Sequence, residues 1–150
     1  MTRHLGLVLR PDPEVVEPLR HLGARYALAA VSSSASARLA ACFAATGLDE
    51  LLPPDRRYSA EDSLTVPTSK PDPAIYLHAC EELGIRPDQA VAVEDSPVGA
   101  ESAVRAGIPT IGNLQFVHAA ERGERERALL AIGVDAIVTT WADVATVLGA

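Results

Sequence analysis

Five polar residues fall where short apolar runs give out: Ser32 and Ser33 behind Tyr26 to Val31, Lys70 within Ser69-Lys70-Pro71-Asp72-Pro73, and Glu94 with Asp95 directly behind Ala90 to Val93. A serine hydroxyl and a lysine ammonium can bind phosphate oxygens, and adjacent carboxylates at a strand end can hold a magnesium ion through oxygen ligands. Together they point to phosphate-ester chemistry. Each also has a plainer reading. Lys70 alone would be a solvated surface lysine, and an acid beside Ser96 is ordinary at a helix N-terminus. That reading accounts for one acid near Ser96, not for two directly after an apolar strand. Ser33, Ser34 and Ser36 are as able to cap the next helix as Ser32; Ser32 is preferred as a ligand because it ends the apolar run.

Such groups need elements to bring them together. Val15, Val16, Leu19 and Leu22 recur at helical spacing between Pro13 and Gly23, which predicts a first helix over 14–22. The continuous apolar run from Tyr26 to Val31 predicts a strand buried on both faces. Helices are expected over 36–46, 73–83, 97–106, 119–131 and 141–148, and further strands over 90–93, 108–111 and 136–138. Residues 49–69 carry Pro53, Pro54 and Pro67 and predict a long irregular connection with a short strand near Arg57 to Ser59. Strands alternating with helices imply right-handed crossovers and a parallel sheet, with ligands at the carboxyl ends of the strands. Ser32, Lys70, Glu94 and Asp95 would then converge on one edge.

Composition agrees with that architecture. The chain has 150 residues, 48% of them hydrophobic, which suits a single domain over 1–150 with one buried core. Aromatic residues make up only 4%, so Ala, Val, Leu and Ile must fill the core, as they do where helices pack closely on a sheet. A net charge of −7 without any basic run argues against a nucleic-acid partner. No apolar run approaches the length of a membrane span, and a soluble, cytoplasmic protein is expected. Cys42 and Cys80 stand apart in alanine-rich stretches and read as buried reduced thiols. His4, His21, His78 and His118 share no spacing that would make them ligands, and the alternating charges from Glu121 to Arg127 read as a solvated helix face.

Three phrases, Ser69-Lys70-Pro71-Asp72-Pro73-Ala74-Ile75-Tyr76, Leu83-Gly84-Ile85 and Val91-Ala92-Val93-Glu94-Asp95-Ser96-Pro97-Val98-Gly99-Ala100, resemble the haloacid dehalogenase (HAD) superfamily, in particular its phosphoglycolate phosphatase and β-phosphoglucomutase-like branch. Ala27 to Ser34 resembles that family's second motif, and the likeness runs from Pro13 onward. It implies a three-layer Rossmann-like α/β core and a magnesium-dependent phosphatase or phosphomutase acting on a small phosphorylated metabolite. Carried over residue by residue, it implies that Ser32, with Ser33 beside it, binds the phosphoryl group and that Lys70 neutralises its charge. It further implies that Asp95 ligates Mg2+, with Glu94 a direct or water-mediated second ligand.

The family's first motif, a strand ending in Asp-x-Asp, has no counterpart in this sequence, and neither has the cap domain that follows it. Leu5 to Leu9 with Asp12-Pro13-Glu14 could be a degenerate version, but Arg10-Pro11 breaks the strand before the acid, so Asp12 reads as a surface residue. The chain on its own is therefore expected to turn over weakly or not at all. An open sheet left by the missing strand would be covered by Leu5 to Leu9 or by a partner chain, a homodimer included. The alternative is a non-catalytic remnant that binds a phosphorylated ligand or a protein partner.

Overall fold

The computed structural model describes residues 10–150, so the expectation for Leu5 to Leu9 lies outside the described residues. Helix α1 (Pro13–Gly23) leads to β1 (Ala30–Ser32), α2 (Ser36–Thr46) and β2 (Arg57–Ser59). After the long connection come α3 (Ala74–Leu83), β3 (Ala92–Glu94), α4 (Pro97–Arg105), β4 (Thr110–Asn113), α5 (Arg122–Ile132), β5 (Ala136–Val138) and α6 (Trp141–Val147). Proline opens α1 and α4, where the missing N–H loses nothing. Gly47 and Gly84 close α2 and α3 at φ of 71° and 67°, a left-handed turn that a Cβ would strain.

All strand pairs among the described residues are parallel. Ala30, Val31 and Ser32 of β1 stand against Arg57, Tyr58 and Ser59 of β2, while β4 lies between β3 and β5. The described strands fall into two parallel ladders, ordered β1-β2 and β3-β4-β5. Among the described residues, no strand pairs with the second edge of β1 or of β3.

The layers follow from where the apolar side chains go. Ile75, Tyr76, Ala79 and Cys80 of α3 and Ala103 of α4 bury themselves with Tyr58, Ala92 and Ile108. Leu19 and Leu22 of α1 and Val144 and Ala145 of α6 close a separate cluster with Ile111 and Val138. Small residues on α4, among them the fully buried Ala100 and Ala103, let that helix sit close to the strands. Gly112 serves the same end on β4: a Cβ there would lie 2.8 Å from Ile137 Cδ1 and 3.0 Å from Leu129 Cδ1. No inserted helical cap occurs among the described residues. Nor is any helix among them long and apolar enough to cross a membrane.

Two expectations need correction. The run from Tyr26 to Val31 is not one buried strand; only Ala30–Ser32 pairs, and it is half-buried. The chain is still turning out of α1 at its start, since the amides of Arg25 and Tyr26 donate to Leu22 O at 3.0 and 2.8 Å, and β2 offers only three residues to pair with. Strands β3 and β4 begin two residues later than expected, which places Glu94 and Asn113 inside strands. Cys80 is buried as expected, whereas Cys42 is partly exposed; both are free thiols.

Leu129, fully buried beneath β4, offers a test of this packing. Leu129→Ala is expected to lower unfolding stability by about 3 kcal/mol. Leu130→Ala, at a side chain 51% exposed, should cost under about 0.5 kcal/mol in the same urea titrations.

Candidate functional site

Lys70 enters the interior from the end of the long connection. Its Nζ donates to Val31 O at 3.0 Å and to Glu94 Oε1 at 2.5 Å, and it lies 5.0 Å from the centre of the Tyr76 ring. One ammonium therefore ties the carboxyl end of β1 to that of β3. Both charged side chains are only 10% exposed, so each requires the other. The Tyr76 hydroxyl donates to the same Glu94 oxygen. Burial, and then the neighbouring Glu94 charge and hydrogen bond, raises the Tyr76 phenol far above its ordinary range.

The lysine's backbone is held as firmly. Lys70 N donates to Ser33 Oγ at 3.3 Å, Asp72 Oδ1 accepts from Ala74 N at 2.9 Å to begin α3, and Ser102 Oγ donates to Asp72 O at 2.6 Å. The fully buried Ser102 thus fastens the Lys-Pro-Asp loop to α4.

The serine loop is ordered by residues far away in sequence. Ser32 Oγ accepts from Ser34 N at 3.0 Å, and Ser34 O accepts from Ser59 Oγ at 2.7 Å. Ser59, with no exposed surface, also accepts from the amides of Glu61 and Asp62. None of the serines caps α2: its N-cap is Ala35, and Asp62 Oδ2 accepts from Ser36 N at 2.6 Å instead. Ser32 and Ser33 are thereby released from capping.

Glu94 ends β3 and Asp95 follows it, exposed, before Ser96 opens α4 by accepting from Gly99 N at 3.1 Å. Gly99 has to be glycine for a local reason, because a Cβ there would lie 2.0 Å from Glu94 Oε2. The carboxylate of Asp95 makes no hydrogen bond or ion pair among the described residues, and its backbone carbonyl accepts from Arg125 Nη1 at 2.6 Å. Glu94 and Asp95 line a cleft of about 210 Å³ with Val93, Asn113, Phe116 and Trp141. Among the described residues no group of three or more His, Cys, Asp or Glu converges as a ready-made metal site. The carboxylate oxygens of Asp95 and Glu94 are nevertheless the hard donors that Mg2+ takes, and that ion keeps several waters where the protein supplies few ligands.

The structure brings Lys70, Glu94 and the ends of β1 and β3 together, with Ser32 the last residue of β1 and Ser33 and Asp95 in the loops that follow β1 and β3. Asp12 does other work: it is the N-cap of α1, accepting from Glu14 N at 2.9 Å. Sequence reasoning passed over Tyr76, Ser59, Asp62, Ser102 and Arg125. Tyr76 had a signal, six residues after Lys70 and so on the helix that the lysine loop begins. Arg125 had none, being hidden in a run of alternating charges.

Layered helices on parallel strands, with an ammonium, carboxylates and hydroxyls gathered at the strands' carboxyl edge, define a Rossmann-like α/β protein. The chain belongs to the haloacid dehalogenase-like hydrolases, whose family model matches residues 4–107. It is 30% identical over 144 residues to a phosphoglycolate phosphatase of Thiobacillus denitrificans, covering 95% of this chain and 58% of that protein. With a phosphorylated carbohydrates phosphatase of Thermotoga maritima it shares 42% identity over 73 residues, 49% of this chain and 32% of the relative. Among solved structures, a putative β-phosphoglucomutase from Thermotoga maritima superposes with a TM-score of 0.78 at 28% identity, over 98% of this chain and 63% of that one. A conserved HAD-like protein of unknown function from Agrobacterium tumefaciens gives 0.80 at 30% identity, over 93% of this chain and 60% of the other. The chain thus spans less than two thirds of the length of these relatives.

Two measurements probe the buried pair. Lys70→Met, which strands Glu94, is expected to cost about 3–5 kcal/mol of stability, and Tyr76→Phe about 1.5–3 kcal/mol, by denaturant unfolding. The raised Tyr76 pKa also fixes a pH dependence. The folded phenol keeps its proton where the unfolded one loses it, so this contribution is complete below about pH 10 and lost as pH rises beyond that. Stability should therefore decline above about pH 10, and less steeply in Tyr76→Phe. Equal slopes in the two proteins would contradict the assignment. Tyr58, also raised by burial and by Glu82 and Asp55 against the opposing Arg56, accounts for a residual decline.

Proposed function

We propose that this chain is the core of a magnesium-dependent phosphatase or phosphomutase that acts on a small phosphorylated metabolite. The observation that carries the reading is the Lys70–Glu94 pair bridging two strand ends, with the unpaired carboxylate of Asp95 beside it. Two of the three ammonium protons are committed, to Val31 O and Glu94, and the third is available to a phosphoryl oxygen. Ser32, whose oxygen already accepts from Ser34 N, still has its own proton to donate to the same group, with Ser33 at its side. Asp95 would hold Mg2+ directly. Glu94, with one oxygen engaged by Lys70 and Tyr76, would reach the ion through the other oxygen or through water. When bound, Mg2+ supplies charge neutralisation for the phosphoryl oxygens. These groups supply binding and electrostatics, which carry most of phosphoryl-transfer catalysis.

The names of relatives support a phosphate monoester on a small organic molecule: a phosphoglycolate phosphatase, a phosphorylated carbohydrates phosphatase and a validoxylamine A 7'-phosphate phosphatase. A HAD family hydrolase from Deinococcus radiodurans, 28% identical with a TM-score of 0.77, has bound phosphate and sodium. This sequence contains no Asp-x-Asp, so the covalent route through an aspartyl phosphate has no nucleophile here, and turnover by this chain is marginal. The edges of β1 and β3 that no strand among the described residues pairs favour a second reading, a binding module that takes a partner strand or a second copy at those edges.

Calorimetric titration of the chain with inorganic phosphate in the presence of Mg2+ tests the first reading. Binding is expected, weakened at least about tenfold by Ser32→Ala, and in Asp95→Asn no longer dependent on Mg2+. Lack of phosphate binding in the unsubstituted chain would leave only the second reading. Hydrolysis of p-nitrophenyl phosphate should be marginal and unchanged in Asp12→Asn. Robust turnover lost in that variant would make Asp12 a nucleophile and overturn its assignment as a helix cap.

A further inference from the structure

Helix α5 holds both loops that line the acidic cleft. Arg122 donates from Nε to Val117 O at 3.0 Å and from Nη2 to Gln115 O at 3.2 Å, which fixes the segment carrying Phe116. One turn on, Arg125 donates from Nη1 to Asp95 O at 2.6 Å. Leu129, fully buried one further turn along, anchors the helix beneath β4. An element rooted in the core therefore reaches across the surface to the peptide that follows the exposed carboxylate.

That peptide has few other restraints. Its N-terminal side is held by the pairing of Glu94 with Gly112, and its C-terminal side by Ser96 at the start of α4. Between them Arg125 holds the Asp95 carbonyl, which limits rotation about the Cα–C bond of Asp95 and so steadies the stretch of backbone from which the Asp95 side chain projects. A guanidinium gives a charge-assisted, directional hydrogen bond suited to this task. Glu121 and Glu124 line the same surface hollow as Arg125 and Pro97.

We propose that Arg125 is a positioning residue that orients Asp95 for a divalent cation. The inference rests on the reading of Asp95 as a cation ligand and adds the group that sets its geometry. It predicts a sign opposite to simple electrostatics. A positive charge beside a cation site repels the cation, so removing it should tighten binding if charge were its whole effect. If Arg125 acts by orientation, removing it weakens binding.

The test is titration of the whole chain with Mn2+, followed by electron paramagnetic resonance of the free ion, for the unsubstituted protein, Arg125→Gln and Arg125→Lys. Affinity is expected to fall about tenfold in Arg125→Gln, the scale on which groups behind a metal ligand act. Arg125→Lys should recover part of the loss, while the melting temperature without metal stays within a degree or two. Amide hydrogen exchange at Ser96 in the metal-free protein should quicken in Arg125→Gln. Unchanged or tighter Mn2+ binding by Arg125→Gln would overturn the proposal while leaving Asp95 as a ligand. A loss of affinity matched by a lower metal-free melting temperature would overturn it in favour of a merely structural role. If the unsubstituted chain takes up no Mn2+, the reading of Asp95 itself fails, and the inference with it.

Discussion

The structure depends on placing one ammonium where two strand ends can share it. Lys70 donates to the Val31 carbonyl of β1 and to the carboxylate that ends β3. Neither charge would be tolerable alone at 10% exposure, and the cost of desolvating the pair is offset only because Tyr76 and the Val31 carbonyl complete its hydrogen bonds. Among the described residues β1 and β3 share no ladder, and this polar contact links their ends alongside the apolar cluster in which Ala30 and Val93 both pack. It joins four segments at once: β1, the Lys-Pro-Asp loop, α3 through Tyr76, and β3.

Everything else near the site keeps that arrangement from relaxing. Ser102 holds the loop that bears the lysine, Ser59 and Asp62 hold the serine loop from behind, and Arg125 holds the peptide after Asp95. In each case the support comes from a different element than the residue supported, so the site's geometry is a property of the packed layers rather than of any loop. The buried glycine contacts act in the same direction. Gly99 lets α4 approach Glu94, and Gly112 lets α5 approach β4, which in turn sets the height from which Arg125 reaches out.

The order of helices and strands was legible because amphipathic and apolar runs alternate with unambiguous punctuation by proline and glycine. Lys70, Glu94 and Asp95 were legible because their neighbours in sequence are also their neighbours in space: Pro71 to Pro73 turn the chain into α3, and Ser96 and Pro97 start α4. The supporting residues were not, because a hydroxyl such as Ser59 or a guanidinium such as Arg125 gives no local sign of a partner 25 or 30 positions away. The strand expected over Tyr26 to Val31 shows the opposite failure. Hydrophobicity alone led to the expectation of burial, yet Tyr26, Ala27 and Ala29 are exposed, and pairing also requires a neighbour of equal length, where β2 supplies only three residues.

The division of hydrogen bonds at the strand ends decides what the site can accept. Tyr76 gives its proton to Glu94, and Glu94 is filled on one oxygen by two donors, so neither offers a further donor to an incoming anion. Ser32 has one lone pair engaged by Ser34 N and its proton unengaged, and Lys70 has one proton left after Val31 and Glu94. The donors that remain therefore lie on the Ser32 and Lys70 side, while Asp95, exposed and unpaired, offers only acceptors. An oxyanion alone is suited to the first and repelled by the second; an oxyanion with its own divalent cation is suited to both. On the proposed reading of the site, this division of donors and acceptors suits the two ligands together and is the physical reason to expect phosphate affinity at this edge to depend on Mg2+.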